Sequence, residues 1–353
     1  MTVLKLGSLF VGIGVFPLAA MHCGMEPVWA SEIEARPISI TRRHFPDMLH
    51  LGDITKISGA EIPPVDVITF GSPCQDLSQI GTRNGFAGKK SSLFYQAMRI
   101  IEEMRYATNG RYPAFCIWEN VAGAFSSNDR LDFAAMLSAF TGAEVSVPPR
   151  GWAHAGMVRG GCADTAWRLL DAQYWGEPAL AQRRKRVFVV ADFAGQRAGE
   201  VLFKPRTVLP FSTISGPGGL SATQRGGVPA AQTGRQVPIV RPFSLRRMRT
   251  MAQVGDQKGF CASFGRGGEP FPTLLASVTA PFSFWYEGEE QDGFLRVLTP
   301  LECERLMGLP ENWTKYGCKN EEISDHARYR ALGNSIALPC AEYVMAGIAE
   351  VMN

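Results

Sequence analysis

The sequence lacks the features of several protein classes. No two of its eight cysteines lie within four residues of each other; they stand at positions 23, 74, 116, 162, 261, 303, 318 and 340. There is therefore no CxxC zinc or redox motif, and in a chain of 353 residues the spacing does not indicate a disulfide framework. We interpret the thiols as reduced, which predicts a cytoplasmic protein.

The sequence also lacks an uninterrupted apolar run of the ~20 residues that a membrane span requires. The stretch from Leu6 to Met25 contains no charged residue, and a signal peptide is one interpretation of it. Gly7, Gly12, Gly14 and Pro17 interrupt that stretch, however. A buried strand followed by a glycine turn explains it better, and we expect no membrane association.

Charged residues make up only 20% of the chain and hydrophobic residues 46%, as in an ordinary globular protein. Intrinsic disorder, a collagen-like chain and a coiled coil are therefore excluded as descriptions of the whole sequence. There is no internal repeat and no low-complexity tract. The length fits one large domain or two.

Short apolar runs alternate with helix-like segments in the first half of the chain. The runs are Leu4–Phe10, Pro27–Ser31, Val65–Phe70, Ala114–Trp118 and Val187–Ala191, and the helix-like segments include Leu93–Met104 and Leu131–Phe140. This alternation predicts an α/β fold with a parallel sheet that is covered on both faces. Ligands of such sheets bind at the carboxyl ends of the strands, where we therefore expect the chemistry.

The segment from Ala194 to Phe260 has its own composition. It carries ten Lys and Arg residues but only two Asp and Glu residues, whereas the whole chain has a net charge of +3. Its basic cluster consists of Arg241, Arg246, Arg247 and Arg249. A solvated basic loop is the plain interpretation of the cluster alone, but a basic segment on an otherwise acidic chain is typical of a nucleic-acid surface.

The last part of the chain returns to helical periodicity. Thr299 and Glu302 predict a capping box at the start of a helix whose apolar face includes Cys303 and Met307. The apolar segment Ala337–Met352 predicts a final helix that packs on the sheet of the first half.

The first apolar run leads into Phe10-Val11-Gly12-Ile13-Gly14, where glycines let the backbone turn tightly and approach a ligand. Glu32 follows 18 residues after Gly14, and a carboxylate there can accept hydrogen bonds from ribose hydroxyls. Pro17 stands where a dinucleotide fingerprint has its third glycine. The pattern favours a nucleoside without a pyrophosphate; a purely structural turn and a nicotinamide oxidoreductase are alternatives.

Cys74, within Gly71-Ser72-Pro73-Cys74-Gln75, follows the run Val65–Phe70 and precedes the glycine-rich segment 78–90. That segment contains Arg83 and two lysines, and we interpret it as a lid that closes over an anionic substrate. A single cysteine is more often a small buried hydrophobic residue. The neighbouring proline, glycines and charges make burial difficult here, so we predict a nucleophile.

Two further groups adjoin predicted strands. Glu119 follows the run Ala114–Trp118, where a carboxyl in a dry pocket can hold or donate a proton; a surface or helix-capping role is the alternative. The motif Gln182-Arg183-Arg184-Lys185-Arg186 leads into a strand. Alternation places Arg184 and Arg186 on one face, where the pair can hold a phosphate or a base oxygen.

The motifs occur together, in one order, on one chain. They are Phe10-x-Gly-x-Gly, Glu32, Asp53, Pro73-Cys74-Gln75, Glu119-Asn120-Val121, Gln182-Arg-Arg-x-Arg and Gly333-Asn334-Ser335. In this combination the chain resembles the DNA (cytosine-5)-methyltransferase family of the bacterial and phage type, over about residues 1–193 and 294–353. The resemblance implies an α/β, Rossmann-like S-adenosylmethionine-dependent domain and a second, smaller target-recognition domain.

The resemblance implies that S-adenosylmethionine is the cofactor, that S-adenosylhomocysteine is its product and that no metal takes part. The residues implied to form its pocket are Phe10, Gly12, Gly14, Glu32, Asp53, Ile54, Pro73, Leu93, Asn334 and Ser335. Phe10 would lie against the adenine, and Glu32 would hold the ribose.

The resemblance also implies the catalytic roles. Cys74 would bond to carbon-6 of a flipped cytosine, Glu119 would be the acid, and Arg184 and Arg186 would bind near the base and its phosphate. The residues expected to contact DNA are Gln75, Ser78, Arg83, Arg246, Arg247, Arg249 and Thr273. The expected activity is methylation of carbon-5 at a specific double-stranded DNA sequence.

Some positions depart from the family's pattern: Val15 stands where the family usually has glycine, Pro178 is separated from Gln182, and residues 141–165 look like an insertion.

We predict a catalytic and cofactor-binding domain over 1–193 and 326–353, a target-recognition domain over 194–295 and a hinge over 296–325. We expect a monomer, with a cognate restriction endonuclease as a candidate partner.

Two alternatives keep part of this interpretation. The same motif set occurs in a branch that methylates cytosine in tRNA, and a DNA-binding regulator without turnover would retain the basic segment. The length of that segment argues against the first alternative. The intact Cys74, Glu119 and Arg184 argue against the second.

Overall fold

The structure, a computed structural model, describes residues 3–72, 93–204, 239–242, 271, 273–274, 282–286 and 293–353, with side chains except at 239–242, 282–286 and 293–296. Eight strands of the described part form one sheet. They are β1 Lys5–Leu9, β2 Glu26–Ser31, β3 Leu49–His50, β4 Val67–Phe70, β5 Phe115–Val121, β6 Ala155–Arg159, β7 Asp164–Asp171 and β8 Lys185–Asp192. Their spatial order is β3-β2-β1-β4-β5-β8-β7-β6. The predicted α/β fold is confirmed.

Only part of this sheet is parallel. Five neighbouring strands run parallel, namely β3, β2, β1, β4 and β5. The next three in the spatial order, β8, β7 and β6, each pair antiparallel with the strand before them. The prediction of a parallel sheet is wrong for these three strands, because an apolar run indicates burial and not strand direction. Residues 141–165, interpreted as an insertion, supply the edge strand β6.

The described residues form eight α-helices. They are α1 Val15–His22, α2 Ala35–His44, α3 Leu93–Ala107, α4 Leu131–Thr141, α5 Ala198–Leu202, α6 Pro300–Leu306, α7 Asp325–Asn334 and α8 Leu338–Met352. Buried residues of α1 and α8 belong to one hydrophobic core, and those of α3 and α4 to another. Ile117 of β5 belongs to the first core and Trp118 to the second, because successive strand residues point to opposite faces. Both faces of the sheet are therefore covered.

The C-terminal part packs on the first core. The predicted capping box is present at α6, where Thr299 Oγ1 accepts a hydrogen bond from Glu302 N at 3.3 Å and Glu302 Oε2 accepts one from Thr299 N at 2.8 Å. Leu298, Met307 and Trp313, all within the predicted hinge, are buried in this core. The final helix α8 packs against α1 and α5. The division into domains itself stays a prediction.

A second, smaller sheet lies within the predicted recognition domain, except for the last two residues of its final strand, which fall in the predicted hinge. Its three strands are β9 Ile239–Pro242, β10 Phe282–Tyr286 and β11 Gly293–Val297, with β10 in the centre and antiparallel to both neighbours. Within the described ranges, no single helix is long and apolar enough to cross a membrane. The pair α7 and α8, bent by 43°, passes the same test of length and composition together.

Candidate active site

Ser72, the last described residue before the Cys74 segment, is held by two side chains of β5. Trp118 Nε1 donates a hydrogen bond to Ser72 Oγ at 3.1 Å, and Asn120 Nδ2 donates one to the Ser72 carbonyl at 2.9 Å. Because β4 and β5 are parallel and their pairing extends to Phe70 and Trp118, their carboxyl ends lie side by side. The backbone that leads to Cys74 is therefore tethered to β5.

Glu119 lies between those two residues of β5, with 12% of its side chain exposed. A Cβ added to Gly71 would stand 3.1 Å from its Oε2, and Arg186 Nε is 3.0 Å from its Oε1 in an ion pair. Burial raises the pKa of the Glu119 carboxyl, while Arg186 and Arg184 act in the opposite direction. Glu119 Oε1 is buried, and in the described part of the chain no donor makes a hydrogen bond of regular geometry to it. Its contact there is the ion pair with Arg186.

Arg184 is buried, with 1% exposed, and its guanidinium is bound to main-chain carbonyls. Nη1 donates to Leu274 O at 2.9 Å, and Nη2 donates to Gly333 O at 2.8 Å and to Ser335 O. The two arginines predicted to act as a pair thus have different contacts. Arg186 faces Glu119, whereas Arg184 joins three segments of the chain.

The motif around Arg184 shows the predicted alternation. Gln182 and Arg184 are buried, whereas Arg183 and Lys185 are exposed. Gln182 pairs with Phe271 in a parallel bridge, and its amide nitrogen and oxygen are buried without a hydrogen-bond partner among the residues that the structure describes. An unsatisfied buried polar group costs about 1–3 kcal/mol. The buried face of this segment therefore carries polar groups that packing alone does not explain.

The turn after β1 has the backbone geometry that its glycines predict. Phe10, Gly12 and Gly14 have φ of 53°, 54° and 84°. A positive φ is strained for Phe10, and such strain is typical of a binding site. A Cβ added to Gly12 would meet nothing within 4 Å, whereas one on Gly14 would come within 2.7 Å of Phe45. The turn is open at Gly12 and packed at Gly14.

Glu32, just after β2, closes this turn. Its Oε2 accepts a hydrogen bond from Gly12 N at 3.0 Å, and its Oε1 accepts from Ile33 N at 2.8 Å and Glu34 N at 3.0 Å. A carboxylate offers about four acceptor positions. Hydrogen bonds from the described residues use three of these positions, and a fourth could accept a ribose hydroxyl, which fits the nucleoside part of S-adenosylmethionine.

The other predicted cofactor residues differ in exposure. Asp53 caps a short 3₁₀ turn, and its hydrogen bonds from Thr55 N and Thr55 Oγ1 lower the pKa of its carboxyl. Ile54 is 3% exposed and packs in the second core, so its side chain lies beneath the surface. Leu93, at the start of α3, is half-buried. Asn334 is exposed at the end of α7, and the neighbouring Ser335 is half-buried.

Trp313, which no sequence pattern indicated, supports the glycine turn from behind. Its Nε1 donates a hydrogen bond to Ile13 O at 2.8 Å, and its ring stacks on His44 with the centroids 3.6 Å apart. Phe45, which contacts Gly14, packs edge-on against the same ring. Because Ile13 and Trp313 are 300 positions apart, local periodicity carries no signal for this contact.

Several predicted site residues lie outside the described residues. They are Pro73, Cys74, Gln75, Ser78, Arg83, Arg246, Arg247 and Arg249. Thr273, predicted to contact DNA, is described, and its hydroxyl donates to the Arg183 carbonyl at 2.7 Å. In the described ranges, no cluster of three or more His, Cys, Asp or Glu side chains could hold a metal ion.

A family model described as C-5 cytosine-specific DNA methylase matches residues 4–205 and 243–350. The chain belongs to this family. The family resemblance predicted from the motifs is thereby confirmed, and so is the activity: methyl transfer to carbon-5 of cytosine in DNA. S-adenosylmethionine is the methyl donor that this family implies.

Individual relatives are distant. The chain is 26% identical to the type II methyltransferase M1.ScrFI of Lactococcus lactis, over 99% of this chain and 78% of the relative, and 23% identical to M.HhaI of Haemophilus parahaemolyticus, over 100% and 96%. It is 24% identical to a DNA N-6-adenine-methyltransferase of Escherichia phage P1 over 96% of its length, and it spans 60% of that relative. The solved structure of S. pombe Dnmt2 methyltransferase matches 99% of both chains with a TM-score of 0.62 and 16% identity, which confirms the fold.

Proposed function

We propose that the chain methylates a cytosine that is flipped out of double-stranded DNA at a specific sequence, through a transient covalent bond to Cys74. The observation that carries this proposal is the buried Glu119 carboxyl beside the tethered exit of β4. Ser72, two residues before Cys74, is bonded to both neighbours of Glu119 in β5. A nucleophile and an acid that begin from adjacent strand ends can reach opposite sides of one base.

The chemistry requires both groups because carbon-5 of cytosine is too weak a nucleophile to attack a methyl sulfonium unaided. When the Cys74 thiolate bonds to carbon-6, an electron pair moves into the ring and makes carbon-5 nucleophilic. The protonated Glu119 carboxyl stabilises the charge that develops at ring nitrogen N3. S-adenosylmethionine supplies the electrophilic methyl group. A base then removes the carbon-5 proton, and the sulfur–carbon-6 bond breaks as Cys74 leaves.

Arg186 orients the acid in this proposal. Its guanidinium lies 3.0 Å from Glu119 Oε1, and its Nη1 donates to the Lys185 carbonyl, which fixes the side chain. The cation lowers the pKa of a carboxyl that burial raises, so the two effects oppose each other. A carboxyl whose pKa is raised in this way suits a group that must give up a proton and recover it in each turnover.

The nucleoside part of the cofactor lies at the open side of the Gly12 turn in this proposal. Glu32 accepts from the ribose, Phe10 lies against the adenine, and the Asp53 carboxylate can accept a hydrogen bond from the adenine amino group. The remaining wall is formed by Ile54, Pro73, Leu93, Asn334 and Ser335, with Ile54 supporting it from the core. The turn is already shaped for the ligand, since Glu32 and Trp313 hold it from two sides.

The DNA contacts proposed for the lid and the basic segment comprise Gln75, Ser78, Arg83, Arg246, Arg247 and Arg249. Thr273 supports this surface through its hydrogen bond to the Arg183 carbonyl. The names of the relatives M1.ScrFI and M.HhaI describe type II methyltransferases, which supports a cognate restriction endonuclease as a partner. We propose that the enzyme acts as a monomer.

Bisulfite sequencing of DNA from cells that express the protein tests this function. We expect protected cytosines in one recurrent sequence context, and none in cells that express Cys74→Ser. Protection that persists with Cys74→Ser would contradict the role of Cys74. In a parallel bisulfite analysis of tRNA from the same cells, protection that occurs there and not in the DNA would instead favour the tRNA methyltransferase alternative.

A further inference from the structure

Arg184 connects parts of the chain that are far apart in sequence. Its guanidinium donates to Leu274 O, 90 residues away, and to Gly333 O and Ser335 O, 149 and 151 residues away. Its own backbone N–H donates to Asp171 Oδ1 at 3.0 Å, which anchors it beside the end of β7. One buried side chain therefore joins the sheet to two separate segments.

The chemistry of the guanidinium suits this junction. Its planar fork presents several N–H donors in fixed directions, so it can bind carbonyls of two segments at once. A lysine ammonium keeps the positive charge but lacks that fixed geometry. Since Arg184 is 1% exposed, no solvent replaces a hydrogen bond that is lost here.

The first segment, of which Phe271, Thr273 and Leu274 are described, falls within the predicted recognition domain and is hydrogen-bonded to residues just before β8. Arg183 N donates to Phe271 O and Phe271 N donates to Ala181 O, both at 2.7 Å. Thr273 Oγ1 donates to Arg183 O at 2.7 Å. This segment is therefore held by hydrogen bonds to the backbone that leads into β8 and Arg186.

The second segment, Gly333–Ser335, comprises the last two residues of α7 and the first residue of its connection to α8. It contains Asn334 and Ser335, two of the residues proposed to bind the cofactor. Two positions beyond Arg184, Arg186 contacts the Glu119 carboxyl. Arg184 thus stands between a recognition segment, a cofactor segment and the catalytic acid.

We propose that Arg184 is a positioning residue that couples DNA binding to cofactor binding. It fixes Phe271–Leu274 against Gly333–Ser335, so that ordering one segment by its ligand favours the bound arrangement of the other. This role rests on the proposed function, because it requires that the two segments serve DNA and cofactor. Coupling between two sites is reciprocal, so each ligand raises the affinity for the other by the same factor.

The test measures the affinity for S-adenosylhomocysteine by calorimetry, with and without a duplex that carries a site the wild-type protein methylates. For the wild type, we expect the duplex to tighten binding by at least about fivefold. For Arg184→Lys, we expect this ratio to fall close to one. A merely structural role would weaken both affinities together and leave the ratio unchanged.

Arg168→Lys is the matched control. Arg168 Nη1 also donates to a main-chain carbonyl, that of Leu202, at 2.8 Å, and to Tyr343 Oη at 2.9 Å, but it joins β7 to helices away from the Glu119 carboxyl. We expect this variant to keep the wild-type ratio. If Arg184→Lys does not fold, Thr273→Val decides the question. This variant removes the hydrogen bond from Thr273 Oγ1 to the Arg183 carbonyl, next to Arg184, and leaves the buried charge of Arg184 in place.

The outcomes separate this role from the proposed function. A lowered ratio in Arg184→Lys or Thr273→Val, with the ratio of Arg168→Lys preserved, supports the coupling role. An unchanged ratio in a folded Arg184→Lys, or in Thr273→Val when that variant decides, overturns it and leaves the methyltransferase function intact. A wild-type protein that methylates no cytosine overturns both.

Discussion

Asn120 and Ser72 are joined by a hydrogen bond of 2.9 Å that connects the ends of two neighbouring parallel strands. Asn120 directly follows Glu119, and Ser72 precedes Cys74 by two residues. This bond therefore sets the starting positions of the proposed acid and the proposed nucleophile relative to each other. A contact of this kind can affect the rate of reaction more than the stability of the fold.

Removing the tether tests that relationship. In Asn120→Ala the Ser72 carbonyl loses its buried partner, and we expect kcat to fall by about 10²-fold, the effect of roughly 1 Å of misplacement. The affinity for S-adenosylhomocysteine should not change. Thr69→Val is the control, because it removes a buried hydrogen bond from Thr69 Oγ1 to Ser8 Oγ in β4, the strand that leads to Ser72. An equal loss of kcat in both variants would contradict a specific role for Asn120.

The Arg186–Glu119 pair predicts a change in pH dependence. Burial raises the pKa of Glu119 and Arg186 lowers it, so Arg186→Met should raise it further. If protonated Glu119 is the active form, the alkaline limb of the rate profile moves to higher pH, although the maximal rate falls. Single-turnover methylation measured across pH checks this shift. The same substitution in a Glu119→Gln background should shift nothing, and a shift there would assign the limb to another group.

The same pair predicts how stability depends on pH. A carboxyl whose pKa is higher in the folded than in the unfolded state binds its proton more tightly when folded, so stability falls as pH rises between the two values. The unfolded value is about 4.3. Because Arg186→Met widens this window upward, its free energy of unfolding should continue to decrease up to a higher pH than that of the wild type. Urea denaturation at several pH values measures where the decrease ends.

The two glycines of the first turn predict opposite consequences. Gly12→Ala places a methyl group in open space at a φ of 54°, so the fold should survive with a cost of about 1–2 kcal/mol, while S-adenosylhomocysteine binding weakens. Gly14→Ala brings its Cβ within 2.7 Å of Phe45, so it should mainly lower the melting temperature. Calorimetric titration and thermal denaturation of both variants separate these effects. Unchanged binding in Gly12→Ala would place the cofactor elsewhere.

A buried ion pair in the C-terminal part predicts a large effect on stability alone. Glu304 is 0% exposed and receives hydrogen bonds from Arg328 Nη2 at 3.0 Å and Thr314 N at 2.9 Å. Arg328→Met leaves the carboxylate buried without its cation, which should lower the free energy of unfolding by about 3–5 kcal/mol. Arg330→Met, which breaks an exposed pair with Glu34, should change it by about 0–1 kcal/mol. Similar losses in the two variants would show that the buried pair has no special role.

The strands could be predicted from the sequence where burial is continuous. Val67–Phe70 lies within the predicted run Val65–Phe70, because a strand buried on both faces shows an unbroken apolar run. The edge strand Ala155–Arg159 was missed, since its residues are exposed or half-buried and carry no such run. The antiparallel direction of β8 was missed as well, because an apolar run indicates burial and not strand direction.

The residues of the site divide in the same way. Glu119 and Glu32 could be placed because each stands at the end of an apolar run. The contacts of Arg184 could not, because its partners are backbone carbonyls 90 to 151 residues away, which no side-chain pattern records. The sequence shows that Arg184 and Arg186 alternate onto one face, but it does not show these carbonyls. It therefore suggested a pair of arginines that holds a phosphate or a base oxygen. The structure shows one arginine at the carboxyl and one at a junction of segments.

The covalent intermediate can be observed directly with a duplex that contains 5-fluorocytosine at the methylated position. Fluorine cannot leave carbon-5 as a cation, so the bond between Cys74 and carbon-6 persists after methyl transfer. With S-adenosylmethionine present, we predict that the wild-type protein forms an adduct that survives a denaturing gel, and that Cys74→Ser forms none. An active wild-type enzyme that forms no adduct, or a Cys74→Ser protein that still forms one, would contradict the mechanism.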